Sequence, residues 1–222
     1  MKLLANYKTV LTAILISLIG TSALAQESKW IVRGYPAYFS TTDDNSLAIT
    51  TLPPPLGQEA ISHSVAGGPG FGFGLEYMWS DHVGIEGAAF LTYHDTDMVI
   101  SNDLGSFSAS DSTRFRTFTF GANYHFNTKG RAHWSLGGFV PLMFADGTDH
   151  VFPGLNRIEG RAYDQDYGLG VKGAMDWSFA PGSPWILSIE GRYMALLIME
   201  SETGGDVDVD PFVLSIGIGY RF

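Results

Sequence analysis

The residues of this chain that could carry out chemistry begin with a histidine and a serine two positions apart, His133 and Ser135. A serine nucleophile needs a histidine base within reach and a carboxylate that orients the base. Positions i and i+2 of a strand share one face, so these two side chains can point the same way. No glutamate follows in the same segment. We therefore interpret the pair as a chance spacing and expect no enzymatic activity.

Metal, cofactor and nucleic-acid chemistry are also not expected. The chain has no cysteine, and two other histidines, His63 and His150, are too isolated in the sequence to indicate a metal site. The formal net charge is −10, whereas binding to nucleic-acid phosphates needs a basic surface.

The first 25 residues have the layout of a secretory signal peptide. Lys2 and Lys8 supply the positive n-region, residues 10–19 form a short apolar stretch, and Ala23-Leu24-Ala25 forms an A-x-A cleavage site. Cleavage there would leave residues 26–222 as the mature domain. No cysteine follows the site, so a lipid anchor is not expected.

The mature part alternates between large apolar and small or polar residues, which indicates strands rather than helices. In residues 212–222, Phe, Leu, Ile and Tyr fill the even positions, whereas Val, Ser, Gly and Arg fill the odd ones. The large face would point inward in a soluble sandwich but would meet lipid in a membrane barrel. Glycine on the smaller face suits the narrow interior of an eight-stranded barrel.

Counting such segments predicts an all-β protein, an eight-stranded antiparallel transmembrane β-barrel. The predicted strands are residues 29–40, 69–79, 82–96, 112–126, 132–146, 162–179, 185–199 and 211–222. The connections alternate between short ones (80–81, 127–131, 180–184) and long ones (41–68, 97–111, 147–161, 200–210). Short periplasmic turns and long external loops are typical of outer-membrane barrels, so we expect both termini to be periplasmic.

The tryptophans support this orientation, because Trp is favoured at membrane interfaces. All five lie near predicted periplasmic strand ends: Trp30, Trp79, Trp134, Trp177 and Trp185. We expect Phe144 and Tyr163 at the opposite rim.

Assigning the smaller, more polar face of each strand to the interior predicts a lumen with two zones. The lower zone, near the periplasm, holds Arg33, Glu76, Glu86, His125, His133, Lys172, Asp176, Glu190, Arg192 and Arg221. The upper zone is apolar and holds Phe39, Phe90, Phe115, Phe139, Met143, Met194, Leu196 and Val213. Unpaired buried charge is costly, so we interpret the lower zone as a paired plug, with a gate for a permeant as the alternative.

The upper zone suits a hydrophobic ligand, although a closed core filled by side chains is equally compatible with this barrel size. Pro36 and Pro141 cannot donate ladder hydrogen bonds and predict weak pairing in two strands. The hypothesis is an apolar pocket that opens to the outside and releases its solute sideways into the bilayer.

Several segments resemble the OmpW family of outer-membrane proteins. Residues 74–86 resemble its second hairpin, 93–95 the close of its third strand, 164–177 its sixth strand and 192–194 its seventh. The similarity covers nearly the whole mature chain and implies a barrel that carries small hydrophobic molecules inward. Where family members often have His-Leu-Pro-Pro entering the fourth strand, residues 112–117 of this chain read Ser-Thr-Arg-Phe-Arg-Thr.

The chain end also resembles a known signal. A last strand that closes on Tyr220 and Phe222 is similar to the signal read by the outer-membrane assembly machinery, which is therefore an expected partner. Membrane lipid and lipopolysaccharide are the other expected surroundings.

Three functions of different classes follow. The first is a passive channel for small hydrophobic molecules. The second is a structural or adhesive barrel that acts through its acidic external loops, which carry Asp43, Asp44, Glu59, Asp103, Asp111, Asp146, Asp149, Glu159, Glu202, Asp206 and Asp208. The third is an enzyme, because His133-Trp134-Ser135 resembles the His-x-Ser of lipid A deacylases, but that face is predicted to be lumenal and periplasmic, away from outer-leaflet acyl chains. We favour the channel.

Overall fold

The computed structural model describes residues 29–41, 46–51, 58–103, 105–127, 130–146, 150–152, 157–159, 166–196 and 210–222. The predicted signal peptide, residues 1–25, lies outside them. Twelve strands are described: β1 Trp30–Ser40, β2 Ser46–Thr51, β3 Gln58–Val65, β4 Gly68–Met78, β5 Val83–Asn102, β6 Gly105–Phe126, β7 Ala132–Asp146, β8 His150–Phe152, β9 Arg157–Glu159, β10 Asp166–Ser178, β11 Trp185–Leu196 and β12 Phe212–Arg221. Within the described residues, no helix is long and apolar enough to span a membrane.

Eight of these strands close into an antiparallel barrel. The pairing order is β1, β4, β5, β6, β7, β10, β11 and β12, and β12 pairs back onto β1. Apart from the closing pair β12–β1, every neighbour in this order is also the next barrel strand along the chain, as in an up-and-down barrel. The predicted eight-stranded barrel is confirmed, with strand ends shifted by a few residues at most places.

The alternation in the sequence becomes an inside and an outside. In β12, Val213, Ser215, Gly217 and Gly219 are buried, whereas the even-numbered residues before Tyr220 are exposed. Large apolar side chains such as Phe71, Phe120 and Leu169 are about two-thirds exposed around the outer wall. A soluble protein rarely exposes so extensive an apolar surface, whereas a membrane barrel presents such a band to lipid.

The two ends of the barrel differ as predicted. The described residues of the short connections, 79–82, 127, 130–131 and 179–184, lie at one end, called the lower end here, together with all five tryptophans, which are 42–70% exposed. Exposed tyrosines such as Tyr38, Tyr93 and Tyr167 lie toward the upper end. Phe144 is half-buried, and Tyr163 lies outside the described residues.

The upper end contains more sheet than the sequence predicted. The β5–β6 ladder continues as far as the pair Asn102–Gly105, through most of the predicted loop 97–111. Inside the predicted loop 41–68, β2 pairs with β3, and β3 pairs with the outer part of β5. Asp97, Asn102 and Asp103 gave this stretch the composition of a loop, but it pairs with β3 on one side and with β6 on the other, and Ile100 is buried. The predicted loop 147–161 likewise contains the β8–β9 hairpin.

Candidate functional site in the barrel lumen

The predicted charged residues of the lower lumen form one buried ion-pair network. Arg33 of β1 is central: its Nη1 lies 2.7 Å from Glu76 Oε2 and its Nη2 lies 2.7 Å from Asp176 Oδ2. The three side chains come from β1, β4 and β10, which do not all neighbour one another in the barrel. The network therefore crosses the lumen and closes it.

A second part of the network surrounds Glu86. Lys172 Nζ and Arg192 Nη2 both bind its carboxylate, and Arg192 Nε also donates to Glu190 Oε1 at 2.9 Å. Lys172 reaches Glu190 at 3.8 Å, and Arg33 reaches Glu86 at 3.7 Å. Opposite charges are thus interleaved, which offsets the desolvation that burial imposes on each ion.

Asparagine, histidine and serine side chains add further hydrogen bonds to the same carboxylates. Asn123 Nδ2 donates to Glu76 Oε1 at 2.6 Å, and His125 Nε2 lies 2.9 Å from the same oxygen. Ser188 Oγ donates to Asp176 at 2.7 Å, and Ser215 Oγ donates to Glu190 at 3.1 Å. The carboxylates of this network thus have several partners each, as a buried ionic network requires.

The lower mouth of the lumen holds the remaining predicted residues. Arg221 Nη2 lies 3.7 Å from Asp176, and its Nη1 lies 3.3 Å from His133 Nε2. His133 and Ser135 are both buried on the lumenal face. Asp176 is cross-strand from His133, but its carboxylate is bound to Arg33 and Ser188. The geometry therefore provides no serine–histidine–carboxylate relay facing lipid.

Above the network lies a buried apolar cluster. Its members are Tyr35, Ala37, Phe39, Val65, Ala88, Phe90, Phe115, Phe139, Met143, Met194 and Val213. Seven of the eight predicted upper-zone residues belong to it, and the side chain of Leu196 lies outside the described part of the structure. Each member is at most 7% exposed, so these side chains fill the lumen and pack on one another.

Sequence reasoning missed four members of the cluster. Tyr35 and Ala37 share the inward face of β1 with Arg33 and Phe39, and Ala88 shares that of β5 with Glu86 and Phe90, so the alternation of these strands could have found all three. Val65 could not be found in this way, because it lies on β3, inside a predicted loop.

The rings of the cluster have specific contacts. Phe90 stacks on Tyr35 with ring centroids 6.0 Å apart and meets Phe39 edge-on at 5.9 Å. A Cβ at Gly72 would lie within 2.7 Å of both Phe90 and Tyr35, so glycine is required beside them. The Arg192 guanidinium lies 5.0 Å from the Phe90 centroid and joins the two zones by a cation–π contact.

A polar layer, also missed by the sequence analysis, caps the cluster. His94 lies between Phe39 and Phe115, with centroid distances of 6.0 Å and 4.7 Å. Its Nδ1 lies 2.9 Å from the Ala66 carbonyl oxygen, and its Nε2 lies 2.8 Å from Thr92 Oγ1. Because a carbonyl only accepts, Nδ1 carries a proton and ties β5 to the β3–β4 connection.

Two buried hydroxyls of the upper lumen have no hydrogen-bond partner among the described residues: Tyr35 Oη and Thr117 Oγ1. Tyr35 belongs to the apolar cluster. Thr117 is cross-strand from Phe90 on one side and from Met143 on the other. Buried polar groups are nearly always bonded, so these hydroxyls offer hydrogen bonds to a further molecule.

The two strand prolines singled out in the sequence, Pro36 and Pro141, each interrupt the ladder on one side only. Pro141 pairs with Thr119 of β6, but on the β10 side the ladder passes from Leu142–Tyr167 to Phe139–Gly170 with two positions left out. Pro36 likewise pairs with β4, whereas its β12 side lacks two positions. The break beside Pro141 lies between Phe139 and Met143, two members of the apolar cluster.

A closed antiparallel barrel with an apolar outer band and a filled lumen defines a small outer-membrane β-barrel protein. The family model described as an outer membrane protein beta-barrel domain matches residues 11–222, and the chain belongs to this family. The predicted outer-membrane location is confirmed. Comparison with curated protein sequences finds no match.

Solved structures agree on the fold. The outer membrane protein OprG from Pseudomonas aeruginosa is 18% identical, with a TM-score of 0.69 over 89% of this chain and 97% of that one. AlkL, solved in lipid bilayers, is 15% identical, with a TM-score of 0.56 over 91% and 94%. Neisserial surface protein A is 18% identical, with a TM-score of 0.50 over 88% and 98%. The resemblance to OmpW-type barrels is therefore confirmed for the fold.

Proposed function

We propose that this barrel is a passive channel for small hydrophobic molecules, which enter the upper lumen from outside and leave sideways into the membrane. The ion-pair network argues against straight passage. An apolar solute that crossed it would have to part buried charges, and separating such pairs costs about 3–5 kcal/mol for each one broken. A sideways path avoids this cost.

The ladder break beside Pro141 is the observation that carries the proposal. It lies in the wall between β7 and β10, next to the apolar cluster and above the ionic network. Fewer backbone hydrogen bonds hold the two strands together there, so their separation costs less than elsewhere in the wall.

Entry requires the packed cluster to rearrange. Met143 and Met194 belong to it, and methionine side chains adapt more readily than branched or aromatic ones. The unpartnered hydroxyls of Tyr35 and Thr117 favour a solute that is mostly apolar but carries one hydrogen-bonding group.

A disulfide staple tests the sideways path. The natural chain has no cysteine, so Leu142→Cys with Tyr167→Cys creates a single pair, across β7 and β10 directly above the break. The matched control is Leu136→Cys with Gly173→Cys, which joins the same strands where the ladder is intact. Oxidation of the upper pair is expected to lower uptake of a fluorescent apolar tracer, and reduction should restore it. Equal uptake before and after oxidation would contradict lateral release.

The apolar cluster is tested by Met143→Asp. A carboxylate there lacks a cation and would cost an apolar ligand several kcal/mol, on the order of 100-fold in affinity or more. Folded protein is first verified by its heat-dependent gel mobility. Uptake by the Met143→Asp variant that matches the natural protein would contradict the proposal, and so would uptake by the natural protein that is no faster than in cells lacking the barrel.

Liposomes separate the channel from the adhesive alternative, for which six of the eleven acidic residues lie outside the described residues. Only a channel raises solute flux into vesicles that contain the purified barrel.

A further inference from the structure

We propose that Arg114 and Arg116, side by side on the lipid-facing surface of β6 at its upper rim, bind the phosphate groups of lipid A. Both arginines are exposed and alternate with the buried residues Thr113, Phe115 and Thr117. Among the residues of the barrel strands that the structure describes, they are the basic side chains on the outer face, since Arg33, Lys172, Arg192 and Arg221 point into the lumen.

Their height on the barrel matches the headgroup level. At the lower rim Phe126 pairs with Trp134, and ten residues of β6 separate Phe126 from Arg116. At about 3.4 Å per residue and a strand tilt of about 40°, this is about 25 Å along the membrane normal, the height of the apolar band of such barrels. Arg116 therefore lies at the upper edge of the band, and Arg114 lies above it.

The surroundings of the pair fit an amphipathic lipid. Arg114 is cross-strand from Tyr93, an exposed residue of the upper aromatic rim, on one side and from Asp146 on the other. Arg116 is cross-strand from Leu91 and Phe144, and the exposed rings of Phe118 and Phe120 continue downward on the same face. Acyl chains can cover these apolar side chains while a headgroup meets the guanidinium groups.

The chemistry selects the partner. The outer leaflet of this membrane consists of lipopolysaccharide, and its lipid A carries phosphates at the level of the glucosamine headgroup. A guanidinium binds a phosphate with two parallel hydrogen bonds. Each arginine already has an interaction within the protein, but a guanidinium has five N–H donors and can share them.

The net negative charge of the chain means that an anionic lipid is attracted only where basic side chains are exposed, not by the protein as a whole. The chain carries a formal net charge of −10, so its overall field repels anionic lipid. An arginine on the lipid face is also unfavourable near the membrane centre and becomes tolerable only close to an interface. On the outer face of the described barrel strands, Arg114 and Arg116 are therefore the side chains that can attract an anionic lipid.

The test uses the full mature barrel folded in detergent micelles, with bisphosphorylated lipid A as the probe and native mass spectrometry as the readout. Arg114→Gln with Arg116→Gln is expected to weaken lipid A binding about tenfold, the loss of one or two charge-assisted bonds. The matched control is Arg131→Gln. Arg131 is an exposed arginine at the opposite rim, where it lies 5.5 Å from the Trp177 ring centroid. Its replacement is expected to change binding by less than about twofold, since it lies at the other headgroup level.

Parallel titrations use monophosphoryl lipid A and phosphatidylglycerol. The proposal is supported if monophosphoryl lipid A binds more weakly than the bisphosphorylated form. It is also supported if replacing the two arginines leaves phosphatidylglycerol binding unchanged. Three results overturn it: a double variant that binds like the natural protein, an equal loss in Arg131→Gln, or equal binding of phosphatidylglycerol. If the double variant does not fold, the single variants are titrated, and lipid A binding unchanged in both also overturns it.

Discussion

Replacing Arg33 by methionine is expected to destabilise the folded barrel by about 3–5 kcal/mol, the cost of removing one partner from a buried ion pair. Arg33 lies 2.7 Å from both Glu76 and Asp176, and all three side chains are buried. Because each 1.4 kcal/mol is a factor of ten, the equilibrium constant for unfolding should rise by roughly a hundredfold to a few thousandfold.

The loss of Arg33 should cost Glu76 and Asp176 different amounts of free energy. Glu76 keeps bonds from Asn123 and His125. Asp176 keeps the hydrogen bond from Ser188, and the one cation among the described residues that still lies near it is Arg221, at 3.7 Å. Most of the cost is therefore expected at Asp176, so adding Asp176→Asn to Arg33→Met should recover part of the lost stability, since it removes the stranded charge.

The assay is urea unfolding of the barrel in lipid vesicles, followed by the fluorescence of the five rim tryptophans. Arg131→Met serves as the control, because Arg131 is exposed and surface changes are usually worth within about 0.5 kcal/mol. A loss below about 1 kcal/mol for Arg33→Met, or no recovery in the double variant, would refute the view that Arg33 neutralises the network.

Four further results are expected. Asp103→Cys should be labelled by an impermeant thiol reagent on intact cells, whereas Gly182→Cys should not; reversed labelling would invert the barrel. Deleting Phe222 should reduce the heat-modifiable folded form without blocking secretion, and normal folded levels would argue against a terminal assembly signal. Ser135→Ala should leave lipid A acylation unchanged, whereas loss of a deacylated species would revive the enzyme hypothesis. Mass spectrometry of the mature protein should find Gln26 at its N-terminus, and a longer chain would exclude cleavage after Ala25.

The sequence by itself determined the number of barrel strands, their faces and the end at which the tryptophans lie. Side chains alternate strictly across a strand, so one residue of known orientation fixes all the others on it. This is why Arg33, Glu86, Lys172, Phe90 and Met143 could all be placed on the lumenal face without knowledge of any contact, and their distance from the predicted strand ends then divided them coarsely into a lower and an upper zone.

Only the tertiary structure decided which of these residues meet. Alternation gives a face but no height, and the height depends on how each strand is staggered against its neighbours around the closed barrel. Arg33 on β1 and Asp176 on β10 are 143 positions apart, and nothing in either segment indicates that they pair. The sequence could not reveal on which side of Pro141 the ladder is interrupted either. A proline shows that a backbone donor is missing, but not which neighbouring strand that donor would have faced. The upper sheet extension was missed for a related reason: Val65 and Ile100 are buried only because β3 pairs onto β5, and pairing between distant segments leaves no local signal in either one.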